Sequence, residues 1–159
     1  MGIHYKTGNL LDAPVNYLCH QVNCQGRMGS GIAKQIKERW PKVYTSYMDY
    51  CHYHASHGSD LRYLLGQCQF IDVESNKVVI NMFGQESYGY DGRRYTSYDA
   101  FWMCLGEITK TVPKGSVIGF PHKIGCGLGG ANWPVIETMI RSVLGQDYTV
   151  HIYILEEEV

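Results

Sequence analysis

The sequence predicts an α/β fold in which a mostly parallel sheet carries helices. Segments with strand-like alternation and segments with helical periodicity follow one another along the chain, an order typical of parallel sheets. Two glycine-rich segments, residues 26–33 and 124–133, each follow an apolar run and lead into a helical pattern. The chain has 159 residues, close to the usual size of one domain. We therefore expect residues 1–159 to form a single domain.

The first half of the chain contains four predicted strands and two predicted helices. Strand 3–7 ends at Gly8, and strand 17–22 follows Pro14. Helix 32–40 is stopped by Pro41, and helix 43–54 carries a stripe of aromatic residues. Strands 66–73 and 77–83 are separated by a short polar turn, which predicts an antiparallel hairpin.

The second half of the chain adds two predicted helices and two predicted strands. A loop rich in glycine and tyrosine spans residues 84–94 and precedes helix 97–111, for which Ser97 is the expected N-cap. A short buried strand, 116–120, leads into the second glycine segment. Helix 133–144 has Pro134 in its first turn, where proline is favoured, and strand 148–155 follows it.

Composition excludes several classes of protein. Hydrophobic residues make up 45% of the chain and charged residues 18%, values typical of a globular domain. The net charge of −1 lacks the basic character that duplex nucleic acid attracts, so we expect no direct duplex binding. No apolar run approaches the roughly 20 residues that span a bilayer, so no membrane partner is predicted.

The cysteines and histidines do not predict a metal site or a cofactor. Six cysteines are scattered without a C-x-x-C spacing, which favours free thiols in a reducing cytoplasm. His52, His54 and His57 are clustered, but only His54 and His57 would share a helix face. No cysteine or carboxylate nearby completes a tetrahedral set, so we interpret the cluster as an exposed polar helix end.

The two glycine segments predict a diphosphate site. Glycine removes the Cβ that would block close approach of a phosphate, and successive N–H groups at a helix start cradle an anion. In an open α/β sheet, loops after parallel strands meet at one edge, where ligands bind. Two such loops at that edge indicate a ligand with two linked phosphates held from both sides.

The same segments resemble a known family. The run of residues 8–11, the run 20–33 and the run 124–130 are similar in order and spacing to those of macrodomains, which are three-layer α/β/α sandwiches that bind ADP-ribose. The resemblance covers nearly the whole chain. It is strongest for the branch that holds the yeast ADP-ribose-1″-phosphate phosphatase and the terminal ADP-ribose glycohydrolases, including phage and bacterial members.

The resemblance assigns ligand-binding roles. Asn9 would lie beside the adenine, where many macrodomains have an aspartate, and Leu10 would also belong to the ligand-binding site. Asn23 would hold the distal ribose, with Phe83 nearby. The alternative for Asn23 is a turn residue after a strand. The two diphosphate loops would comprise Gly29, Ser30, Gly31 and Ile32, and Gly127, Leu128, Gly129, Gly130 and Ala131.

The chain departs from the glycohydrolases at the reacting positions. Those enzymes pair a lysine after the strand 77–83 with an acidic residue after the second glycine motif. This chain has Gly84 and Gln85 in the first place, Gly129 in the second, and Asn132 where some relatives have aspartate. A covalent lysine mechanism needs an amine and a carboxylate, so it is not predicted here.

His20 is the predicted proton-transfer group, and Asp91 is predicted to orient it or a water molecule. Imidazole titrates near neutral pH and suits attack on a phosphomonoester, with Arg27, Arg93 or Arg94 as donors to the developing charge. The alternatives are a core histidine with an internal partner and a solvated turn residue before Gly92. Hydrolysis of ADP-ribose-1″-phosphate is thus the first hypothesis. Removal of ADP-ribose from a modified macromolecule and a non-catalytic ADP-ribose reader are the others.

Overall fold

The computed structural model describes residues 1–156, so the predicted domain limit at residue 159 lies outside the described residues. Strands and helices follow one another much as the sequence predicts. The strands are β1 (Gly2–Thr7), β2 (Tyr17–Asn23), β3 (Cys68–Glu74), β4 (Lys77–Gln85), β5 (Val117–Pro121) and β6 (Thr149–Ile154). The helices are α1 (Gly31–Arg39), α2 (Pro41–Ser56), α3 (Tyr98–Thr111) and α4 (Trp133–Leu144).

The strands form one mixed sheet in the order β1-β6-β5-β2-β4-β3. All neighbouring pairs are parallel except β3 and β4, which form the predicted antiparallel hairpin. Asn76 lies in the turn of this hairpin with φ of 62°, a left-handed conformation that asparagine tolerates better than most residues. The parallel direction of β4 places the loop after it at the same edge as both glycine segments.

Helices cover both faces of the sheet, which confirms the three-layer α/β/α prediction. Buried residues of α3 and α4, including Phe101 and Ile140, pack with β4 residues such as Ile80 and Met82. On the other face, Ile36 of α1 and Tyr47 of α2 pack with a second set of strand residues. Two apolar cores therefore sandwich the sheet, and every central strand is buried on both sides.

Local signals fix the helix ends. The Ser97 side chain accepts a hydrogen bond from the Ala100 N–H at 3.1 Å, as expected of an N-cap. Asn132 caps α4 in the same way, and Pro134 lies in the first turn of that helix. The sequence did not predict two 3₁₀ turns, Leu10–Asp12 and Leu61–Leu64, because three or four residues are too few to show a periodicity.

Two further features complete the fold. The six cysteines are all free thiols. Among the described helices, none combines the length and the apolar character that crossing a bilayer requires.

Candidate functional site

A cleft runs along the edge of the sheet where the parallel strands end. It consists of two cavities, of about 480 Å³ and about 300 Å³. The cavities share five lining residues, which form a saddle between them: Gln21, Ser30, Gln85, Leu128 and Gly129. Because this saddle contains residues of both glycine segments, a ligand that spans the two cavities must pass between the two loops.

The first glycine loop presents an open helix start to the saddle. Ser30 is the N-cap residue of α1, yet its side chain makes no capping hydrogen bond. Gly31 has φ of 60°, a conformation that glycine adopts without strain. Gly31 and Ile32 line the larger cavity and Gly29 lines the smaller one. The first N–H groups of α1 therefore have no side-chain cap to compete with an anion.

The second glycine loop contributes fewer residues to the cleft than the sequence predicts. Gly127, Leu128 and Gly129 line it, whereas Gly130 and Ala131 line neither cavity. A Cβ on Gly130 would lie 2.9 Å from the carbonyl oxygen of Arg93, so close backbone packing excludes a side chain there. The prediction that Gly130 and Ala131 face the ligand is corrected accordingly, because their N–H groups donate to the carbonyl oxygens of Gly127 and Gly125 within the loop.

Asn9 and Leu10 line the larger cavity, and their ligand-binding role stays a prediction. The Asn9 side-chain oxygen accepts a hydrogen bond from the Leu11 N–H at 3.0 Å and caps the Leu10–Asp12 turn. Its amide N–H groups make no recorded hydrogen bond within the described chain. Residues that the sequence analysis did not assign complete this end of the cleft: Gln35, Pro121, His122, Lys123, Tyr153 and Leu155.

Asn23 lies in the smaller cavity, where its carboxamide also holds its own loop closed. The oxygen accepts hydrogen bonds from the Gln25 N–H at 2.9 Å and the Tyr47 hydroxyl at 2.8 Å. One amide hydrogen is donated to the carbonyl oxygen of Arg27 at 2.9 Å. A carboxamide nitrogen carries two hydrogens, so Asn23 keeps one donor for a ligand. These contacts fit the alternative of a turn residue, and the ribose-binding role stays a prediction that the remaining donor permits.

Phe83 does not reach the cleft. It is fully buried, and its ring centroid lies 5.8 Å from that of Tyr47 and 6.1 Å from that of Tyr50. Phe83 therefore supports Tyr47, which in turn holds Asn23. The predicted position near the distal ribose is corrected to a position beneath the residue that lines this cavity.

The outer part of the smaller cavity is lined by Arg27, Tyr88 and Tyr90. The two tyrosines are 42% and 77% exposed, which leaves their rings and hydroxyls accessible at the mouth. Within residues 1–156, Arg27 is the arginine whose guanidinium has no carboxylate or aromatic partner. No aspartate or glutamate of the described chain lines either cavity. The cleft thus offers an unpaired cation with no competing anion.

His20 is not brought to the cleft. It is fully buried on β2, and its Nε2 lies 2.5 Å from the Asn81 Oδ1 of the adjacent strand. Asn81 donates to the Gln69 side chain, which donates to a carbonyl oxygen of α2. Burial lowers the pKa of His20 from 6.5 to about 4, so the imidazole is neutral. This placement argues against the predicted proton-transfer role and favours the alternative of a core histidine.

Asp91 lies on the exposed loop and does not contact His20. Its carboxylate forms an ion pair with Arg93 at 3.0 Å and accepts a hydrogen bond from the Tyr95 hydroxyl at 2.9 Å. The backbone N–H of Arg93 and the Tyr95 hydroxyl hold the pKa of Asp91 below its usual value. Asp91 thus braces the loop that carries Tyr88 and Tyr90. The predicted orientation of His20 by Asp91 is not observed.

Gln21 and Gln85 line both cavities but were not predicted as site residues. A glutamine on a strand gives no signal of its own, because strand alternation shows only which face it occupies.

Among the described residues, no cluster of histidine, cysteine and carboxylate side chains could hold a metal ion.

No family model matches the chain, but proteins of known name do. The DNA ADP-ribosyl glycohydrolase of Mycobacterium tuberculosis is 30% identical over 147 residues, covering 91% of this chain and 39% of that protein. The ADP-ribose 1″-phosphate phosphatase of Meyerozyma guilliermondii is 26% identical over 182 residues, covering 96% of this chain and 98% of that protein. The chain therefore spans about two fifths of the first relative and nearly all of the second.

Solved structures share the fold. The macrodomain of Mycobacterium tuberculosis DarG is 26% identical, with a TM-score of 0.72 and coverage of 95% of this chain and 96% of that chain. Thermosipho africanus DarTG in complex with ADP-ribose has a TM-score of 0.73 at 20% identity, covering 98% of this chain and 42% of that chain. Fold and cleft define an α/β/α sandwich with a ligand site at the end of its sheet. The chain has the macrodomain fold, and the named relatives that it matches are an ADP-ribose 1″-phosphate phosphatase and a DNA ADP-ribosyl glycohydrolase.

Proposed function

We propose that the chain binds ADP-ribose and its derivatives and hydrolyses ADP-ribose-1″-phosphate to ADP-ribose and phosphate. One observation carries the binding part: the two glycine loops meet at a saddle between two cavities. A dinucleotide-like ligand has a diphosphate at its centre and a bulky group at each end, so its shape matches this cleft. The names of the phosphatase and glycohydrolase relatives support the same ligand class.

The residues that line each cavity indicate the orientation in which the ligand would bind. The larger cavity, with Leu10, Pro121 and Tyr153, supplies apolar surface for the adenine and leaves the Asn9 amide as a polar contact. The smaller cavity, with Asn23 and Arg27, receives the distal ribose. The free amide hydrogen of Asn23 donates to a ribose hydroxyl, and the diphosphate lies against the start of α1.

The lining of the smaller cavity favours phosphate release over cleavage of a glycosidic bond. Glycoside hydrolysis commonly uses two carboxylates, and the described lining contains none. Phosphoryl transfer relies mainly on positioning and on stabilising the charge of the transferred group. In the proposed reaction the water oxygen bonds to phosphorus while the bond from phosphorus to the ribose oxygen breaks. The Arg27 guanidinium neutralises the phosphoryl oxygens. A tyrosine hydroxyl at the mouth gives its proton to the leaving ribose oxygen and takes one back from the attacking water.

The second candidate is hydrolysis of ADP-ribose from a modified macromolecule. The accessible rings of Tyr88 and Tyr90 at the mouth favour this candidate, because an open rim leaves space for a large group attached to the distal ribose. A reader that binds ADP-ribose without turnover is the third candidate. All three share the cleft, so affinity alone does not separate them.

The experiment compares three readouts on the same protein. ADP-ribose affinity is measured by calorimetry, phosphate release from ADP-ribose-1″-phosphate by a colorimetric assay, and ADP-ribose release from ADP-ribosylated oligonucleotide or protein by mass spectrometry. Arg27→Gln should reduce phosphate release about 100-fold or more, since a positioned cation stabilises the transferring group. Lys34→Gln removes one positive charge from the exposed surface of α1 outside both cavities and should leave the rate unchanged.

The outcomes separate the candidates. Phosphate release by the wild type that depends on Arg27 supports the proposal, whereas release of ADP-ribose alone selects the second candidate. Binding without turnover selects the reader. An absence of ADP-ribose binding at millimolar ligand would refute the proposed site altogether.

A further inference from the structure

The carboxamide of Gln21 lies at the centre of the saddle and joins the two halves of the cleft. Its Nε2 donates to the Gln85 Oε1 at 2.7 Å and to the Thr96 Oγ1 at 2.8 Å. Gln21 belongs to β2, whereas Gln85 ends β4 and Thr96 precedes α3. One side chain therefore connects three segments of the chain that border the ligand site.

The hydrogen bonds continue outward from these partners. Thr96 Oγ1 donates to the carbonyl oxygen of Gly125 at 2.8 Å, at the start of the second glycine loop. On the other side, Gln85 Nε2 donates to the carbonyl oxygen of Ser87 at 2.7 Å, in the loop that carries Tyr88. The position of the second glycine loop and that of the tyrosine loop are thus both linked to Gln21.

The glycines around this cluster fit its side chains. A Cβ on Gly84 would overlap the Gln21 Oε1, and a Cβ on Gly129 would lie 2.6 Å from the Thr96 Oγ1. Neither residue has a left-handed φ, so their backbone conformation does not require glycine. At Gly84 the requirement comes from the space that Gln21 occupies. At Gly129 it comes from Thr96 together with the carbonyl oxygen of Gly125, which would also lie 2.6 Å from the Cβ.

The Gln21 carboxamide also carries an unfavourable feature. Its Oε1 is buried and has no hydrogen-bond partner among the described residues. A buried acceptor without a partner lowers stability, and such groups in native structures call for an explanation. An apolar side chain of similar length would avoid this loss but would lose the two hydrogen bonds that Nε2 donates, so the contacts with Gln85 and Thr96 are what the glutamine contributes.

We propose that Gln21 is a positioning residue that sets the distance between the second glycine loop and the distal cavity, so that the diphosphate and the distal ribose are held together. This inference rests on the proposed ADP-ribose site. A pre-positioned pair of loops binds more tightly because less freedom is lost when the ligand enters. A ligand that fills both cavities depends on this distance, whereas one confined to the larger cavity does not.

The first test uses Gln21→Met, which keeps the length of the side chain and removes its hydrogen bonds. Affinities for ADP-ribose and for AMP are measured by calorimetry, and the melting temperature is recorded without ligand. We expect a loss of about 10-fold in ADP-ribose affinity with AMP affinity within about twofold of wild type. The melting temperature should change little, because removal of the orphaned acceptor offsets the loss of the two hydrogen bonds. Gln146→Met, at an exposed position after α4, is the matched control and should change none of these values.

The second test is a double-mutant cycle that combines substitutions of Gln21 and Gly84. Gly84→Ala in the wild type should lower ADP-ribose affinity and the melting temperature, because the new methyl group displaces the Gln21 carboxamide. In a Gln21→Ala background, the same Gly84→Ala change should cause little further loss of either. Equal losses in both backgrounds would contradict the contact on which the proposal depends.

The two proposals fail in different ways. A wild type that binds neither ADP-ribose nor AMP refutes the proposed function, and the positioning role falls with it. A wild type that binds both, together with a Gln21→Met variant that keeps full ADP-ribose affinity, refutes the positioning role alone. A parallel loss of ADP-ribose affinity, AMP affinity and melting temperature would identify Gln21 as a structural residue and would also overturn the proposal.

Discussion

His20 and Asn81 face each other across β2 and β4 as a buried hydrogen-bonded pair, with the His20 Nε2 2.5 Å from the Asn81 Oδ1. The network fixes the direction of this bond. Gln69 donates to a backbone carbonyl oxygen and so accepts from Asn81, whose oxygen must then accept from His20. Nε2 is therefore protonated, and Nδ1 is a buried acceptor without a partner among the described residues.

This pair predicts a specific dependence of stability on pH. Burial lowers the pKa of His20 from 6.5 to about 4, so the unfolded chain binds a proton at this site more readily than the folded one. The contribution of neutral His20 to the free energy of unfolding is complete above pH 6.5 and is lost as the pH falls toward 4. A pKa shift of this size corresponds to about 3 kcal/mol of unfolding free energy, because each pKa unit corresponds to about 1.4 kcal/mol.

The measurement is urea unfolding between pH 7.5 and 4. His20→Gln, which cannot titrate, should be less stable than wild type at pH 7.5 and should lose less free energy of unfolding on acidification. Its ADP-ribose affinity should stay within a few-fold of wild type. Identical pH profiles for the two proteins would show that His20 does not carry this dependence.

Charge at the second glycine loop should control binding of the diphosphate. A Cβ on Gly127 would meet no atom within 4 Å, and the residue faces the cleft. Gly127→Ala should therefore fold normally and bind ADP-ribose within a few-fold of wild type. Gly127→Glu should weaken binding by about 100-fold or more, since a carboxylate would face the phosphates.

The ADP-ribose binding of both variants is measured as the rise in melting temperature, because a ligand that binds only the folded state raises that temperature. The Gly127→Ala protein is the control for the loss of glycine itself. Equal thermal shifts for the two variants would place the diphosphate elsewhere. Gly31→Glu should also abolish the shift, with an added cost from the left-handed backbone at that position.

Asn23 is expected to act on the distal ribose and on its own loop. Asn23→Ala removes acceptors for the Gln25 N–H and the Tyr47 hydroxyl and the donor for a ribose hydroxyl. ADP-ribose affinity should fall by about 1–3 kcal/mol, while AMP, which lacks the distal ribose, should be affected far less.

Tyr47→Phe provides the comparison for this change. It removes the hydroxyl that donates to Asn23 and accepts from the Gly26 and Arg27 N–H groups, but it leaves the Asn23 carboxamide in place. Its loss of ADP-ribose affinity should be smaller than that of Asn23→Ala. If both variants lose affinity for AMP and ADP-ribose equally, Asn23 acts only through the loop.

A substitution at Asn9 is expected to strengthen the preference of the site for adenine. Its oxygen caps the Leu10–Asp12 turn, a role that an aspartate carboxylate also fills, and it faces the cavity proposed for adenine. Asn9→Asp should keep the fold and raise the affinity for AMP relative to IMP by several-fold, because a carboxylate accepts more strongly from the adenine amino group. Calorimetry with both nucleotides tests this, and an unchanged ratio would place the base away from Asn9.

The sequence by itself determined the alternation of strands and helices, the hairpin of β3 and β4, and the capping residue Ser97. These features depend on periodicity and on contacts between residues close in the chain, so they can be read locally. The positions of the two glycine loops at one sheet edge were also predictable, because parallel strands end on the same side.

Only the tertiary structure decided which side chains reach the cleft. His20 and Phe83 lie on strands next to site residues, but register and layer packing direct both into the core. Gln21 and Gln85 line the cleft although nothing in their local pattern marks them, because their neighbours come from strands and loops far apart in the chain. Pairing between strands that are far apart in the chain brings these residues together. The sequence pattern of one strand does not show which strand it pairs with or in which register.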